Sequence, residues 1–443
     1  MQLRAFIQQA AGVGAVSLLD RAVAVGLGIV FARWLGPAEF GAYSFVIAAV
    51  GLLLLPARLG LPELLTRDIA AARGRDMAVD IRDTIRKGYL LVGLAALVIV
   101  AIGQLVLQFL PPTSLNRLMK IGLWLIFPTV FFEVTIGVLR GLGRTLAFQF
   151  YGTLLLSLVT LLVSAAVMLA TGRYYAEIAV EARFLAVFFM LSVACIHLWS
   201  LLRGQEIPNS GIKRGGGMLV RTGLGFMVNA LVYMALMRVD LLMLGLIANE
   251  EAVGLYRVAV EGGLLVAFAY GAATTVLAPE YARLYAAEDH EKLQRLVRQT
   301  ARLIMAAGVF AAVPLIFFSK QIITLVFGVD YAGAGLALSV LAMGHFITFF
   351  FGDPIYLLNM TGHHNRITAL VGMGLAISVV LCLALIPPFG VVGASLAASI
   401  ALVSYRALAF RAVYRTIGIN CAVFGPVPDR ALAATFRTDV EQA

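Results

Sequence analysis

The sequence predicts an all-α polytopic membrane protein with about 12 transmembrane helices. Hydrophobic residues make up 61% of the 443 positions and charged residues 13%, about half the charged fraction of a typical soluble domain. Apolar stretches of roughly the 20 residues needed to cross a bilayer follow one another along the chain. A soluble fold of this size could not cover that much apolar surface, and no connection is long enough for a separate domain.

The individual spans are placed by these apolar stretches and by the turn-forming residues between them, such as Pro111-Pro112 and Thr171-Gly172. The first stretch has no small-residue cleavage site, so we expect it to be retained as a helix. The predicted spans are 8–32, 38–59, 88–110, 119–139, 146–170, 178–202, 218–246, 252–278, 300–318, 335–359, 367–387 and 390–415.

The distribution of basic residues predicts that both termini face the cytoplasm. With the N-terminus inside, the cytoplasmic loops and helix ends hold eighteen Lys and Arg residues, and the opposite ends hold six, because cationic loops are retained on the cytoplasmic side. The eighteen are Arg58, Arg67, Arg73, Arg75, Arg82, Arg86, Lys87, Arg140, Arg144, Arg203, Lys213, Arg214, Arg283, Lys292, Arg295, Arg298, Arg302 and Arg366.

Two longer cytoplasmic loops, 66–87 and 279–299, combine charged residues with regularly spaced apolar ones. This pattern predicts amphipathic helices that lie along the inner membrane interface. A solvated linker is the alternative interpretation of each loop.

The two halves of the chain resemble each other. Gly41 and Tyr43 recur as Gly254 and Tyr256, about 213 residues later, and each pair leads through a helix into one of the longer loops. Internal repeats of this kind form substrate sites between two lobes in transporters. We therefore expect two pseudo-symmetric six-helix lobes around a central cavity: an N-terminal lobe 1–202, a cytoplasmic linker 203–217, a C-terminal lobe 218–416 and a cytoplasmic tail 417–443.

Ionisable residues inside the predicted spans are the most informative positions, since a charge near the bilayer centre costs at least about 2.5–3.5 kcal/mol. Arg257 and Glu261 are four residues apart on one helix face, which predicts a structural salt bridge. Arg238 and Asp240 are two residues apart and cannot face each other. Further ionisable residues inside the spans are Asp20, Arg21, Glu133, His345, Asp353 and Arg406.

Polar stripes on the first helix of each half favour a hydrated cavity between the halves. One stripe contains Gln9, Ser17 and Asp20, with Arg21 beside it, and the other contains Arg221, Asn229, Tyr233 and Asp240. Inter-helix salt bridges that lock the bundle are the alternative explanation for any single charge. The sequence assigns no partner to Glu133, and Asp353-Pro354 predicts an acid beside a helix kink.

Several classes of chemistry are not indicated by the sequence. The net charge of +10 is explained by loop topology rather than by nucleic-acid binding. His363-His364 lacks further ligands for a metal site, and no phosphate-binding glycine loop or catalytic set is present. We expect a non-enzyme without cofactor or metal.

Five parts of the chain, spread over nearly its whole length, resemble one known family: 31–43, 238–240 with 254–256, 327–332, 358–363 and 390–395. That family is the polysaccharide flippases, the Wzx-like oligosaccharide export proteins. It belongs to a superfamily that also contains multidrug and toxin extruders and the flippases of peptidoglycan precursors, which carry two additional helices.

The resemblance implies alternating access and a polyprenyl-diphosphate-linked oligosaccharide as substrate, moved from the inner to the outer leaflet of a bacterial plasma membrane. Its implied partners are membrane lipid, a coupling ion (H⁺ or Na⁺), and a glycan polymerase and glycosyltransferases of the same pathway. Arginine binds phosphate oxygens in a forked geometry. We therefore predict diphosphate binding by Arg21, Arg221 and Arg238, and cavity or ion-coupling roles for Asp20, Asp240, Glu133 and Asp353.

Two other functions stay open at this point. A multidrug extruder would export organic cations, and its cavity would favour acids with few arginines. A glycan polymerase or ligase would be expected to carry a large external loop, and no predicted outer loop is long enough.

Overall fold

A computed structural model describes residues 2–73, 80–204 and 215–424 of the protein. Side chains are described within these ranges except at 2–18, 73, 204, 267–279 and 364–365. Every secondary-structure element in the described ranges is helical, which confirms the all-α prediction.

The chain forms two compact units, Met1–Leu231 and Val232–Ala443. The predicted linker 203–217 lies mostly outside the described residues, and the lobe boundary predicted there stays a prediction. The first unit contains α1 (Gln2–Arg58), α2 (Leu61–Arg73), α3 (Ile81–Gln108), α4 (Ser114–Leu123), α5 (Ile126–Gly141), α6 (Thr145–Gln149), a π-helical turn (Phe150–Leu155), α7 (Leu156–Thr171), α8 (Ala176–Gly204) and the first half of α9 (Gly216–Ile247).

The second unit begins within α9, which therefore contributes residues to both units. Its further helices are α10 (Glu250–Ala286), α11 (His290–Phe317), α12 (Ser319–Val326), a 3₁₀ turn (Val329–Ala334), α13 (Gly335–Phe349), α14 (Pro354–Met360) and α15 (His364–Ile417).

Helices of the described residues overlap all twelve predicted spans. Among the described residues, nine helical segments are long and apolar enough to cross a membrane. Two of them, Leu19–Arg58 with 40 residues and Arg366–Ile417 with 52, suffice for two spans each. Each of these two is broken at one glycine with a positive φ, at Gly36 (φ 72°) and Gly390 (φ 52°). The 37-residue α10 supplies the remaining span.

Predicted span 335–359 is divided in the structure, because α13 ends at Phe349 and α14 begins at Pro354. The predicted helix kink at Asp353-Pro354 is therefore wrong. Proline has no N–H and fits the first turn of a helix, and the Asp353 carboxylate accepts the backbone N–H of Tyr356 (3.3 Å). These two residues start a helix rather than bending one.

The predicted amphipathic segment 66–87 overlaps α2, whose apolar face is covered by protein. Leu61, Leu64, Leu65 and Ile69 are buried, and α2 packs against α5 and α3. The apolar residues of this short helix thus form part of the core of the first unit.

No separate interfacial helix forms at 279–299, so that prediction is wrong. Residues 279–286 are the end of α10 and His290 begins α11. The regularly spaced apolar residues Leu284, Leu293 and Val297 belong to a buried core with Leu357 of α14. Packing within the second unit explains their periodicity without a membrane surface.

Candidate substrate-binding and coupling residues

Asp20 and Arg21 lie next to each other on α1 but have different surroundings. The Ser157 hydroxyl of α7 donates a hydrogen bond to the Asp20 carboxylate (3.3 Å). Arg21 is exposed, and its guanidinium makes no ion pair or hydrogen bond with any side chain that the structure describes. The acid is thus tied to a second helix, whereas the guanidinium is available to an anion.

Glu133, whose partner could not be predicted, lies beside the end of α1. Arg58 donates a hydrogen bond to the Glu133 carboxylate (3.0 Å) and also approaches Glu63 of α2 (3.3 Å). One guanidinium therefore neutralises part of the charge of two carboxylates. Because this group joins α1, α2 and α5, a structural contribution of Glu133 accompanies any coupling role, and the coupling role stays a prediction.

Arg221 lies on the exposed surface of the first half of α9. Its side chain has no ion pair or hydrogen bond within the described part of the chain. Two residues further on, α9 approaches the turn after α1 so closely that a Cβ on Gly223 would lie 2.2 Å from the Leu59 carbonyl oxygen. This backbone contact fixes the helix that carries Arg221 within the first unit.

Asp240 is held by hydrogen bonds at the second half of α9. The Tyr256 hydroxyl of α10 donates to one carboxylate oxygen (2.5 Å), and the Leu241 backbone N–H donates to the other (2.7 Å). Tyr256 itself is fully buried. The second tyrosine of the internal repeat was not predicted as a site residue, although its position two residues after Gly254 repeats that of Tyr43 after Gly41.

Arg238 belongs to a charged group at the contact of α9 with α10. It lies within electrostatic range of Asp240, Arg257 and Glu261, so two cations and two anions share this region. Arg257 donates a hydrogen bond to Glu261 one turn further along α10, and the ion pair predicted from their spacing is confirmed. Arg238 makes no ion pair within 4 Å and no hydrogen bond to a residue of the described ranges.

Asp353 is buried at the start of α14, where it caps the helix. Its contact with the Tyr356 N–H gives this carboxylate a local structural role. The role in a cavity or in ion coupling stays a prediction. His345 of α13 lies within electrostatic range of Arg406 of α15. These two ionisable residues of the predicted spans are therefore near each other.

The three predicted phosphate-binding arginines differ from the four predicted acids in their hydrogen bonding. Arg21, Arg221 and Arg238 have no hydrogen-bonded partner among the described residues, whereas Asp20, Glu133, Asp240 and Asp353 each accept a hydrogen bond. Unpaired guanidinium groups can form two parallel hydrogen bonds to phosphate oxygens. Within the described side chains, no group of three or more His, Cys, Asp or Glu residues could hold a metal ion.

Comparison with known protein families shows to which family the chain belongs. The family model described as "Polysaccharide biosynthesis protein" matches residues 9–284, more than half of the chain. The chain belongs to this family. The family resemblance predicted from the sequence is therefore confirmed, and no curated protein matches the chain in a sequence comparison.

Solved structures of transporters share the fold of this polysaccharide biosynthesis protein. An inward-facing multidrug resistance MATE family transporter of the MOP superfamily gives a TM-score of 0.70 at 15% identity, covering 92% of this chain and 98% of that one. The lipid II flippase MurJ in an inward closed conformation gives 0.71 at 13% identity, covering 90% and 87%. A MOP superfamily transporter from Pyrococcus furiosus gives 0.64 at 15% identity, covering 92% and 95%.

These similarities establish the fold of the chain, since the identities are too low to transfer a substrate. The chain is a multi-pass membrane protein with the fold of MOP superfamily transporters. The structural neighbours named above are described as transporters and a flippase.

Proposed function

We propose that this polysaccharide biosynthesis protein moves a polyprenyl-diphosphate-linked oligosaccharide from the inner to the outer leaflet of a bacterial plasma membrane. Both termini face the cytoplasm. Transport proceeds by alternating access and is coupled to an H⁺ or Na⁺ gradient. Glycosyltransferases of the same pathway assemble the lipid-linked glycan before transport. A glycan polymerase uses it after transport.

The observation that carries this proposal is the family match together with three arginines that make no ion pair in the described structure. Arg58 and Arg257 each form an ion pair with a glutamate. Arg21 and Arg221 are exposed, and Arg238 lies near Asp240 and Glu261 without a hydrogen bond to either. Each of these three guanidinium groups therefore retains N–H donors for a phosphate oxygen.

A multidrug extruder is the second candidate, because transporters of that class share the fold. The hydrogen bonds of the charged side chains favour the first function. The Asp240 carboxylate accepts hydrogen bonds from Tyr256 and Leu241, which reduces its capacity to bind an organic cation. The arginines are the groups without partners, and this favours an anionic cargo.

Export of surface polysaccharide in a strain that lacks the chain tests the proposal. Deletion is expected to remove surface polysaccharide and to cause accumulation of lipid-linked oligosaccharide, measured by mass spectrometry of extracted lipids. Complementation with Arg21→Ala or Arg238→Ala is expected to restore about a tenth or less of wild-type export, because a charge-assisted hydrogen bond contributes about 1.5–3 kcal/mol.

The matched control is Arg283→Ala, since Arg283 is exposed and already pairs with Glu280 (2.5 Å). Its export is expected within about twofold of wild type, and immunoblots of membrane fractions verify equal amounts of each variant. Normal export by both arginine variants would remove these residues from the site. Loss of resistance to a cationic drug on deletion, without lipid-linked glycan accumulation, would favour the extruder instead.

A further inference from the structure

A pocket in the first unit lies apart from the residues assigned to transport. It has a volume of about 530 Å³ and is lined by seven residues of α3, α4, α8 and the turn after α4, within the roughly 300–1,000 Å³ typical of small-molecule sites. The lining residues are Gln104, Lys120, Ile121, Trp124, Glu181, Phe184 and Leu185.

Two opposite charges face this pocket without neutralising each other. Lys120 and Glu181 make no ion pair within 4 Å and donate or accept no side-chain hydrogen bond within the described residues. The Gln104 side-chain amide donates to the Lys120 carbonyl oxygen (2.8 Å), which leaves the amide oxygen of Gln104 as an acceptor. A single cation or anion would satisfy one charged residue and be repelled by the other, whereas a zwitterion satisfies both.

The depth of the pocket matches the boundary between lipid headgroups and acyl chains. Gln104 is four residues from the end of α3 and Glu181 is five residues from the start of α8, so both lie about 6–8 Å from a helix end at 1.5 Å per residue. The headgroup region on each side of a bilayer is about 5–8 Å thick. Trp124, which lines the pocket, is exposed, and tryptophan is enriched at this depth.

The surroundings of the pocket are those of a surface in contact with acyl chains. Leu185 and Phe188 of α8 and Leu105 of α3 are exposed large apolar side chains. Within the pocket, Phe184 and Ile121 extend the same apolar surface beside the two charges. A headgroup at Lys120 and Glu181 would therefore continue directly into chains lying on this surface.

We propose that this pocket binds the headgroup of a zwitterionic phospholipid with a primary ammonium, of the phosphatidylethanolamine class. Lys120 binds the phosphate, Glu181 accepts hydrogen bonds from the ammonium, and the side chains of Trp124, Phe184 and Leu185 contact the start of the acyl chains. The proposed transport cargo is not the occupant, because its diphosphate is anionic and would be repelled by Glu181.

Native mass spectrometry of the purified full-length protein, titrated with phosphatidylethanolamine or phosphatidylglycerol, tests this site. The wild type is expected to bind phosphatidylethanolamine about tenfold more tightly, since only this lipid offers an ammonium to Glu181. Glu181→Gln is expected to abolish this preference while keeping phosphatidylglycerol binding. Lys120→Gln is expected to weaken binding of both lipids about tenfold.

Matched controls lie on the same helices outside the pocket. Glu177→Gln on α8 and Arg117→Gln on α4 replace exposed charges and are expected to leave both affinities within about twofold of wild type. Size-exclusion profiles verify folding, and Glu181→Gln decides the question if Lys120→Gln is misfolded. Unchanged selectivity in Glu181→Gln, equal losses in the controls, or a wild-type preference for phosphatidylglycerol would overturn the assignment.

Discussion

The matched tyrosines of the two units occupy similar positions but make different contacts. Tyr43 packs edge-on against Phe31 of the same helix, with ring centroids 5.1 Å apart. Tyr256 is also buried, but its hydroxyl donates to Asp240 (2.5 Å). A tyrosine combines a large apolar ring with a polar end. The first unit uses the ring of the repeated residue, and the second uses its hydroxyl to hold a carboxylate.

The spans that begin near these tyrosines also end differently. In the first unit, α1 ends at Arg58, and Leu59 and Gly60 turn the chain with positive φ angles of 53° and 65°. In the second unit, α10 continues to Ala286 before a turn at Glu288 (φ 54°). The early turn brings Gly60 against Gly223 of α9, where a Cβ on Gly60 would lie 2.2 Å from a carbonyl oxygen. The repeated pattern therefore does not require the same helix ends.

The largest effect is expected from Gly223→Ala, which breaks the contact specific to the first unit. The new Cβ would lie 2.2 Å from the Leu59 carbonyl oxygen, and backbone on both sides must move to relieve the clash. We expect the free energy of unfolding to fall by about 3 kcal/mol, measured by chemical unfolding of the purified protein in detergent.

Gly225→Ala is the matched control on the same helix, since nothing lies within 4 Å of the Cβ it adds. Alanine favours a helix over glycine by up to about 1 kcal/mol, so this variant is expected to be as stable as wild type or more stable. Equal stability of both variants would show that α9 does not rest on the turn after α1.

A smaller difference is expected between Tyr256→Phe and Tyr43→Phe. Removal of the Tyr256 hydroxyl leaves the Asp240 carboxylate without one of its two donors, at a cost of about 1–3 kcal/mol. Tyr43→Phe keeps the ring contact with Phe31, and the Tyr43 hydroxyl has no hydrogen bond to a described residue, so we expect less than about 0.5 kcal/mol. Thermal unfolding of both variants measures the difference, and equal losses would contradict the distinct roles of the two tyrosines.

The spans of this fold could be predicted because they depend on local composition. Each apolar stretch has to match the bilayer by itself, so length and hydropathy suffice to place it. The residues at which helices begin were harder to predict. The sequence places Asp353-Pro354 inside an apolar run, but the capping hydrogen bond to Tyr356 depends on backbone angles that hydropathy does not report.

The partners of the buried charges could be predicted only where they lie on one helix. The four-residue spacing of Arg257 and Glu261 predicts their contact, which the structure contains. Arg58 and Glu133 are 75 residues apart, and their contact depends on how α1 packs against α5. Their positions in the sequence therefore do not indicate that they pair.

The smallest effect concerns the helix caps, where the two units differ in the sign of one side-chain charge. Asp80 caps α3 and accepts the N–H of Asp83 (3.0 Å), and Asp289 caps α11 and accepts the N–H of Lys292 (3.1 Å). The residue three positions after the cap is acidic in the first unit and basic in the second. The Lys292 ammonium also donates to the Asp289 carboxylate (2.7 Å), and this hydrogen bond lowers the pKa of Asp289 below its ordinary value.

Because the pKa of Asp289 is lower in the folded state, its contribution to stability is complete above the unfolded pKa of about 3.9. That contribution is lost as the pH falls through the folded value. Asn caps a helix as well as Asp but does not titrate, so Asp289→Asn is expected to flatten the decline of the thermal midpoint below about pH 4. Lys292→Met removes the hydrogen bond that lowers the folded pKa of Asp289, so the decline is expected to begin at the same pH as in the wild type but to be smaller. Identical acid profiles for the wild type and both variants would exclude this ion pair as a source of acid sensitivity.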